Sequence, residues 1–278
     1  MHTALIVLIS AASAAALFAL AFLILLKPNR MRENAMKPFE DTFIAHRGYF
    51  NNEDIPENSL PAFALAVENG YGIELDVQLT TDGKLVVFHD DSLKRVCGVK
   101  KKLTDLSYDK LSDMRLLETD CEIPLFEDVL RLVDGKVPLI VEIKAHGPFI
   151  KTSEAVAKML DSYKGQFCIE SFNPVVVNWF KKNRPAWIRG ILASNYLRAP
   201  KKTMAQRILV TNLLFNAYCK PDFVAFNHEF VNSFSLKLCK KLYNCNMVAW
   251  TIRSQEELDS ASKFFSVFIF EKFVPVKR

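Results

Sequence analysis

The sequence predicts a (β/α)8 barrel, a closed ring of eight parallel strands with helices on the outside. Short β-rich runs alternate with amphipathic helical runs from Thr42 almost to the C-terminus. About eight principal strands fill about 240 to 250 residues, the usual size of such a barrel. No glycine-rich phosphate loop follows the first strand, which argues against the alternative, an open doubly wound sheet.

The first element of the chain is an apolar segment, Thr3 to Leu26, which contains neither a charged residue nor a proline. As a helix it would be about 36 Å long, enough to cross a hydrocarbon core of about 30 Å. A cleaved signal peptide is the alternative, but no Lys or Arg precedes the segment, and its small residues lie in its middle. We therefore predict a transmembrane anchor at 1–27 and a polar linker at 28–41.

The flanks of this segment predict its orientation. Lys27, Arg30, Arg32 and Lys37 follow it, so the positive-inside rule places the large domain in the cytoplasm of a single-pass membrane protein. The six cysteines show no CxxC pair or zinc spacing, which agrees with reduced thiols. The net charge of +5 comes without a long Lys/Arg run, so we expect no nucleic-acid partner. The oligomeric state is not indicated.

The remaining elements lie in a domain predicted at 42–278. The strand candidates are Thr42–Ala45, Gly72–Leu79, Leu85–His89, Pro138–Lys144, Phe167–Ser171, Ile188–Leu192, Phe223–Asn227, Asn246–Ile252 and Ser266–Phe270. The helix candidates are Ser59–Asn69, Phe126–Val133, Ser153–Tyr163, Val175–Asn183, Thr203–Ala217, Phe234–Tyr243 and Gln255–Phe264. Several helix candidates have Ser or Thr near their starts, as N-caps should. The stretch of about 90–123 predicts a small insertion, and the residues after the last strand leave no room for a full eighth helix.

Three acidic side chains stand in strands that should be buried. Residues i and i+2 of a strand share a face, so Glu74 and Asp76 point together, and Glu142 lies near the end of the strand in LIVEIK. The C-terminal ends of barrel strands meet on one face, where three carboxylates would repel one another unless a cation lay between them. Carboxylate oxygens favour Mg²⁺ or Ca²⁺ over zinc. The alternative is pairing with a nearby base, such as Glu142 with Lys144.

Two histidines also end strands: His46 in FIAHRG and His89 in VVFHD. One such histidine is usually a satisfied polar residue, but two beside a carboxylate cluster fit a general acid and a general base. Arg47 adds a planar, permanently charged fork suited to a phosphate, although a surface ion pair would explain it equally. These residue types together fit acid–base chemistry beside a candidate phosphate contact.

The same residues belong to a series of short motifs that occur in order along the chain. They are HRG at 46–48, PENS at 56–59, AF at 62–63, ELD at 74–76, DG at 82–83, HD at 89–90, EIK at 142–144, SF at 171–172 and WT at 250–251. Their order and spacing resemble the glycerophosphodiester phosphodiesterase family over roughly Thr42 to Phe273. The departure is the short C-terminus, which puts the eighth helix in doubt but not the site.

The resemblance implies a TIM barrel with a small insertion after the HD strand. It implies a divalent cation held by Glu74, Asp76 and Glu142, with His46 and His89 as the acid–base pair. It further implies that Arg47 contacts a phosphate and that Lys144 and Trp250 lie near the substrate pocket.

The implied reaction releases an alcohol and glycerol 3-phosphate from a glycerophosphodiester; the nucleophile is water or the neighbouring glycerol hydroxyl. A second possibility is a lysophospholipase D-like activity on membrane lipids, with the bilayer as partner through the N-terminal helix. It depends on Arg198, Lys201, Lys202 and Arg207, which precede or enter an apolar helical run. The simpler explanation of that run is a barrel helix that packs on the sheet. A non-catalytic tethered binding module would be favoured by loss of a motif residue, and none is lost.

Overall fold

The computed structural model describes residues 2–29, 32, 34–197 and 203–276. Its strands are β1 Ile44–His46, β2 Gly72–Leu79, β3 Leu85–Val87, β4 Leu139–Ile143, β5 Phe167–Ser171, β6 Arg189–Ala193, β7 Phe223–Asn227, β8 Asn246–Ile252 and β9 Val267–Phe270. Eight of them form a closed parallel ring, because β1 pairs with both β2 and β9. Strand β3 instead pairs antiparallel with the end of β2. The prediction of a (β/α)8 barrel is confirmed.

The helices surround this ring. They are α1 His2–Leu26, α2 Lys37–Glu40, α3 Leu60–Glu68, α4 Lys94–Cys97, α5 Tyr108–Leu111, α6 Phe126–Val133, α7 Phe149–Leu160, α8 Pro174–Asn183, α9 Met204–Thr211, α10 Asn216–Cys219, α11 Phe234–Tyr243 and α12 Gln255–Ala261. Side-chain caps begin several of them; Thr203 and Gln206 form a capping box at α9, and Ser254 accepts a hydrogen bond from the Glu257 N–H at α12.

Two predicted helices differ from the observed ones. The run predicted as one helix, Thr203–Ala217, is divided into α9 and α10, because Leu213 has a left-handed backbone with φ of 57°. The helix predicted from Ser153 begins four residues earlier, at Phe149, directly after Pro148, and ends at Leu160. No helix follows β9 in the chain described as far as residue 276.

The inward faces of the strands change character along the barrel axis. The lower layer is apolar, and two residues further along the chain the inward side chain is titratable. The pairs are Ile44 and His46, Ile140 and Glu142, Cys168 and Glu170, and Ile269 and Glu271. A two-residue step keeps the same face of a strand, so this change occurs inside the barrel.

The base of the barrel is closed from the N-terminal side. Met36 and Phe39, from the segment predicted as a linker, are fully buried and pack with the lower apolar layer. Within that layer Gly190 leaves the space for a ring, since a Cβ at this position would lie 2.1 Å from the Phe223 side chain. The lower half of the barrel is therefore a packed core and not a channel.

Residues 90–123 form a small excursion beside β3. It contains α4 and α5 and has an apolar core of its own, built around Phe88, Leu93, Leu103 and Leu111. This core also covers Val86 of β3. The excursion therefore supports the strand that leads into His89.

Helix α1 is the one helix in the described chain that is long and apolar enough to cross a membrane, with a mean hydropathy of 2.5 over Thr3–Leu26. Residues 3–21 are exposed, whereas Leu26 is fully buried against the barrel domain. Arg30 of the basic flank, and the residues Arg198, Lys201 and Lys202, lie outside the described part of the chain.

Candidate active site

A cleft of about 180 Å³ opens at the C-terminal ends of the parallel strands. Its walls are His46, Arg47, Glu74, His89, Glu142, Glu170, Phe172, Leu192, Trp250, Thr251, Arg253 and Ile269. Six of the eight side chains predicted from the sequence therefore line one cleft. The other two, Asp76 and Lys144, are buried beside it and contact its carboxylates.

Glu74, Asp76 and Glu142 meet as predicted. Each offers a carboxylate oxygen, and these oxygens lie within 4.8 Å of one another. The Lys144 ammonium lies 3.1 Å from Asp76 Oδ1 and 2.9 Å from Glu142 Oε1. The pairing of Glu142 with Lys144, considered as an alternative, is therefore observed. It does not offset the charge of Glu74. Three converging hard oxygen donors fit a divalent cation of the Mg²⁺ or Ca²⁺ type.

The three acids are electrostatically unequal. Burial raises the pKa of Asp76, but Lys144, His89 and Arg47 outweigh burial and hold that pKa well below its usual value. Burial and the nearby charges of Asp76 and Glu142 raise the pKa of Glu74 well above its usual value. Burial likewise raises the pKa of Glu142 despite its contact with Lys144. The cluster therefore holds more negative charge than its own lysine offsets.

A fourth carboxylate, Glu170, was not predicted. It lies on β5 directly beside Glu142 of β4, is 1 % exposed, and has no hydrogen-bond partner for Oε2 among the described residues. Burial and the Glu142 charge raise its pKa well above the usual range. The signal was present in the sequence, because the spacing of Cys168 and Glu170 repeats that of Ile140 and Glu142.

His46 is held through one ring nitrogen. Its Nδ1 lies 2.6 Å from Glu271 Oε2, and Glu271 also accepts a hydrogen bond of 2.8 Å from Arg253 Nε. Its other nitrogen, Nε2, lies 3.9 Å from Glu74 Oε2. Burial and the Arg47 charge lower the pKa of His46, although Glu271 acts in the opposite direction. Glu271 was not predicted from the sequence.

His89 is held in the same way by its neighbour in the chain. Its Nδ1 lies 2.6 Å from Asp90 Oδ1, and Arg95 Nε donates to Asp90 Oδ2 at 2.7 Å. Burial raises the pKa of Asp90, but the hydrogen bonds from His89 and Arg95 prevail and hold it well below the usual value. Both histidines thus carry a carboxylate on Nδ1 and an arginine behind that carboxylate.

Arg47 is positioned by an unusual backbone. Its φ of 56° is left-handed, and its N–H donates to Glu74 Oε2 at 3.1 Å. The guanidinium lies 2.6 Å from Glu57 Oε1 and 3.5 Å from Asp76 Oδ2. A left-handed residue other than glycine costs about 1 kcal/mol, so the surrounding contacts must maintain this turn. The result is a planar cation at the edge of the cleft.

The wall opposite the acids is aromatic. Trp250 and Phe172 meet edge to face, with ring centroids 5.6 Å apart. The Trp250 indole Nε1 is buried and has no hydrogen-bond partner among the described residues. The cleft therefore combines charged groups on one side with an apolar wall on the other, as small-molecule sites usually do.

Comparison with known proteins gives concordant results. The sequence model of the glycerophosphoryl diester phosphodiesterase family matches residues 46–263. A glycerophosphodiester phosphodiesterase of Bacillus altitudinis is 32% identical over 168 residues, 56% of this chain and 68% of that protein. Another, from Caldanaerobacter subterraneus subsp. tengcongensis, is 30% identical over 79% of this chain and 89% of that protein.

The fold has relatives among solved structures. The structure of an Oleispira antarctica phosphodiesterase, in complex with the product sn-glycerol-3-phosphate, superposes with a TM-score of 0.67 at 20% identity. The match covers 83% of this chain and 92% of that one.

Proposed function

The chain belongs to the glycerophosphoryl diester phosphodiesterase family and is an enzyme of that kind, and we propose that it hydrolyses glycerophosphodiesters to glycerol 3-phosphate and an alcohol. The observation that carries the proposal is the pair of histidines, each bonded through Nδ1 to a carboxylate, in one cleft with three converging acids. General acid–base chemistry needs two oriented proton carriers, and an anionic diester needs a cationic site.

We assign the cation to Glu74, Asp76 and Glu142. Their converging oxygens fit Mg²⁺ or Ca²⁺, and burial together with the charges of Asp76 and Glu142 raises the pKa of Glu74, an effect that positive charge would oppose. When bound, such an ion supplies positive charge that offsets the charge developing on the phosphate oxygens. Lys144 would hold Asp76 and Glu142 in place beneath it.

His46 serves as the general base in this proposal. Glu271 fixes the Nδ1 position, which leaves Nε2 as the nitrogen that can accept a proton. The lowered pKa of His46 keeps it neutral, and so able to accept, at neutral pH. Nε2 removes the proton from the nucleophile as the oxygen of the nucleophile bonds to phosphorus. With water as nucleophile the product is glycerol 3-phosphate directly; with the neighbouring glycerol hydroxyl it is a cyclic phosphate, which water then opens to glycerol 3-phosphate.

His89 serves as the general acid. Asp90 stabilises the positive charge of its protonated ring, and Arg95 holds Asp90 in place. As the bond from phosphorus to the alcohol oxygen breaks, His89 gives its proton to that oxygen. After this step His46 carries one proton more than at the start, and His89 carries one fewer. Proton exchange with solvent restores both histidines.

Three further side chains would bind the substrate. Arg47 offers a fork of N–H donors for a phosphate oxygen, and Lys144 adds charge beneath the cleft. Trp250 offers an apolar face and a free indole N–H. The glycerol end would therefore lie between the acids and the aromatic wall.

The proposal is tested with the full chain in detergent and a panel of glycerophosphodiesters carrying choline, ethanolamine or glycerol. We expect turnover with Mg²⁺ or Ca²⁺ and none with chelator. His89→Ala should lower turnover by about 10²- to 10⁴-fold without changing the thermal unfolding midpoint. Wild-type turnover by a folded His89→Ala protein would refute the assignment. Metal-independent turnover by the wild-type chain would refute the cation.

A second candidate activity is hydrolysis of a lysophospholipid, favoured by an apolar cavity beside the cleft. This small cavity of about 40 Å³ shares Phe172 and Leu192 with the cleft and continues toward Leu213 and Phe215. A diester with an apolar substituent would meet apolar walls there. Comparing lysophosphatidylcholine with glycerophosphocholine at equal concentration separates the two, since only the lipid activity requires the acyl chain.

We further propose that α1 is an uncleaved single-pass anchor at 1–27, joined through residues 28–41 to a cytoplasmic catalytic domain at 42–278 with its insertion at about 90–123. Its last turn supports retention, because Leu26 is buried against the barrel domain. Lys27 and Arg32 follow it and no Lys or Arg precedes it. Protease added to intact cells should leave the domain uncut; cleavage would place it outside.

A further inference from the structure

The C-terminal end of α1 is fixed to one side of the barrel. Asn216 of α10 donates a hydrogen bond of 3.0 Å to the Leu26 carbonyl. Tyr243, at the end of α11, donates one of 2.7 Å to the Leu23 carbonyl, and Phe22 packs on Phe234 with ring centroids 6.4 Å apart. The direction in which α1 leaves the domain is therefore set by contacts on two helices.

That direction brings α1 beside α11, whose first residue lies at the catalytic end. Asn29, after α1, bonds to Pro221, which lies just before β7 and so at the base. Phe22 instead contacts Phe234, the first residue of α11, which follows the C-terminal end of β7. Going backward along the chain from Asn29 to Phe22 thus moves from the base to the side of α11, where Leu23 meets its last residue, Tyr243, and Phe22 its first. Residues 3–21, all exposed, continue beyond Phe22 for about 28 Å, close to the thickness of a hydrocarbon core.

Exposed apolar side chains surround the same end. Phe234 is 70% exposed, Met204 65%, Leu197 47% and Val175 41%. Each follows the C-terminal end of a strand, namely β5, β6 or β7, and these strands are neighbours in the ring. Scattered exposed apolar residues are ordinary, but these four stand together on one rim, on the side from which α1 projects.

We propose that this rim, defined as Val175, Leu197, Met204 and Phe234, is a bilayer-docking surface. With α1 in the membrane, the rim lies at the level where α1 leaves the domain, and so enters the interface between head groups and acyl chains. Lys237, exposed in the first turn of α11, accompanies the rim at head-group level. The occupant is a lipid surface, because the rim is continuous with a helix long enough to span one.

The consequence for the enzyme rests on the proposed function. A barrel docked in this way turns its cleft toward the membrane instead of the bulk solution. Its substrates would then be diesters that reside in the bilayer and reach the cleft from the lipid side.

The docking surface is tested with an environment-sensitive fluorophore, NBD, attached to single introduced cysteines in the full chain. The positions are Met204→Cys and Phe234→Cys, on different helices. Leu242→Cys is the matched control, because Leu242 is 45% exposed and lies in the last turn of the helix that Phe234 begins. The wild-type chain, labelled in parallel, gives the background from its half-buried thiols, Cys97 and Cys121.

The proteins are reconstituted into phosphatidylcholine vesicles with and without brominated acyl chains. We expect emission at positions 204 and 234 to shift to shorter wavelength and to be quenched by bromine, and emission at 242 to do neither. Equal quenching at all three positions, or none, would overturn the proposal. A wavelength shift at 204 and 234 without quenching would show that another protein surface, such as a second copy, covers the rim, and would overturn it equally.

This readout does not depend on catalysis. A chain that is inactive on every diester but shows the expected quenching supports docking and refutes the proposed function; an active chain without quenching does the reverse. As a functional counterpart, Met204→Glu should lower turnover of vesicle-borne lysophospholipid several-fold and leave soluble glycerophosphocholine turnover unchanged. Leu242→Glu should change neither.

Discussion

The two ends of the barrel treat buried charge differently. At the base, Asp222 is 1 % exposed and accepts hydrogen bonds from Asn29 at 2.6 Å and from the Arg189 N–H at 3.0 Å. The guanidinium groups of Arg32 and Arg189 each lie 3.7 Å from it. At the catalytic end, Glu170 is equally buried, yet its Oε2 has no partner in the described chain.

The pKa values reflect this difference. Burial raises the pKa of Asp222, but Arg189 and Asn29 offset part of the effect. For Glu74 and Glu170, burial is reinforced by neighbouring carboxylates, and both pKa values rise well above the usual range. The base thus pairs its buried carboxylate with cations of the chain, whereas the carboxylates of the catalytic end exceed the cations that face them. Acids at the two ends should therefore respond oppositely to neutralisation.

The largest effect is expected for Glu74→Gln. Turnover should fall about a thousandfold. In chelator, however, the variant should be more stable than the wild type at neutral pH. The pKa of Glu74 is raised in the folded state. Its contribution to the free energy of unfolding is therefore fully present below the unfolded-state pKa and is lost as pH rises through the folded-state pKa. Denaturant unfolding with EDTA measures this difference, and a less stable Glu74→Gln protein would contradict it.

At the base, Asp222→Ala should act in the opposite way. It leaves the Arg189 guanidinium, which is 5% exposed, without its carboxylate, and should lower the free energy of unfolding by about 3 kcal/mol. Turnover per folded molecule should not change. Asp161→Ala is a suitable control, because its partner Arg184 is on the surface and exposed pairs contribute little. A large loss of turnover in Asp222→Ala would contradict separate roles for the base and the catalytic end.

Glu271→Gln tests a positioning carboxylate at the catalytic end. Glu271 acts through His46 and not on the substrate. Turnover should fall roughly 10- to 100-fold. Since Glu271 raises the pKa of His46, its loss should move the acidic limb of the pH–rate profile to lower pH. Glu271→Asp should recover part of the activity. An unmoved profile would mean that the pair has only a structural role.

The smallest effect concerns Glu57, a well-paired acid at the catalytic end. Burial raises its pKa, but Arg95 and Arg47 prevail and lower it to about 2. Its stabilisation is therefore present above the usual value and is lost as pH falls through about 2. Because Arg95 is partly exposed, we expect roughly 2 kcal/mol of acid-dependent stability. Glu57→Gln should flatten the unfolding curve between pH 5 and 2; an unchanged curve would assign that acid dependence to other groups.

Much of the fold was predictable because the pattern of residues along each strand is visible in the sequence. All nine strand candidates are strands, and four of them have the predicted bounds, for example β2 and β8. The division of Thr203–Ala217 was not predictable, since the left-handed Leu213 has no signal in residue type. The burial of Met36 and Phe39 in the barrel depends on the ring being closed above them.

Site residues that short sequence spacing brings together were predictable. Those that meet only through closure of the barrel were not. Glu74 and Asp76 lie two residues apart, and the sequence neighbour Asp90 stands next to His89. Glu170 was overlooked although its spacing repeats that of Glu142, because an isolated glutamate in a strand has many ordinary explanations. Glu271 meets His46 only because β9 closes against β1, a contact between residues 225 positions apart.

That contact also sets the timing of activity during synthesis. Helix α1 and His46 emerge from the ribosome early, while most of the barrel is still unmade. His46 gains its carboxylate only when β9 has been translated and has joined β1. A nascent or truncated chain that ends before Glu271 therefore holds both histidines but only one oriented proton carrier. The orientation of His46 is thus completed only by β9.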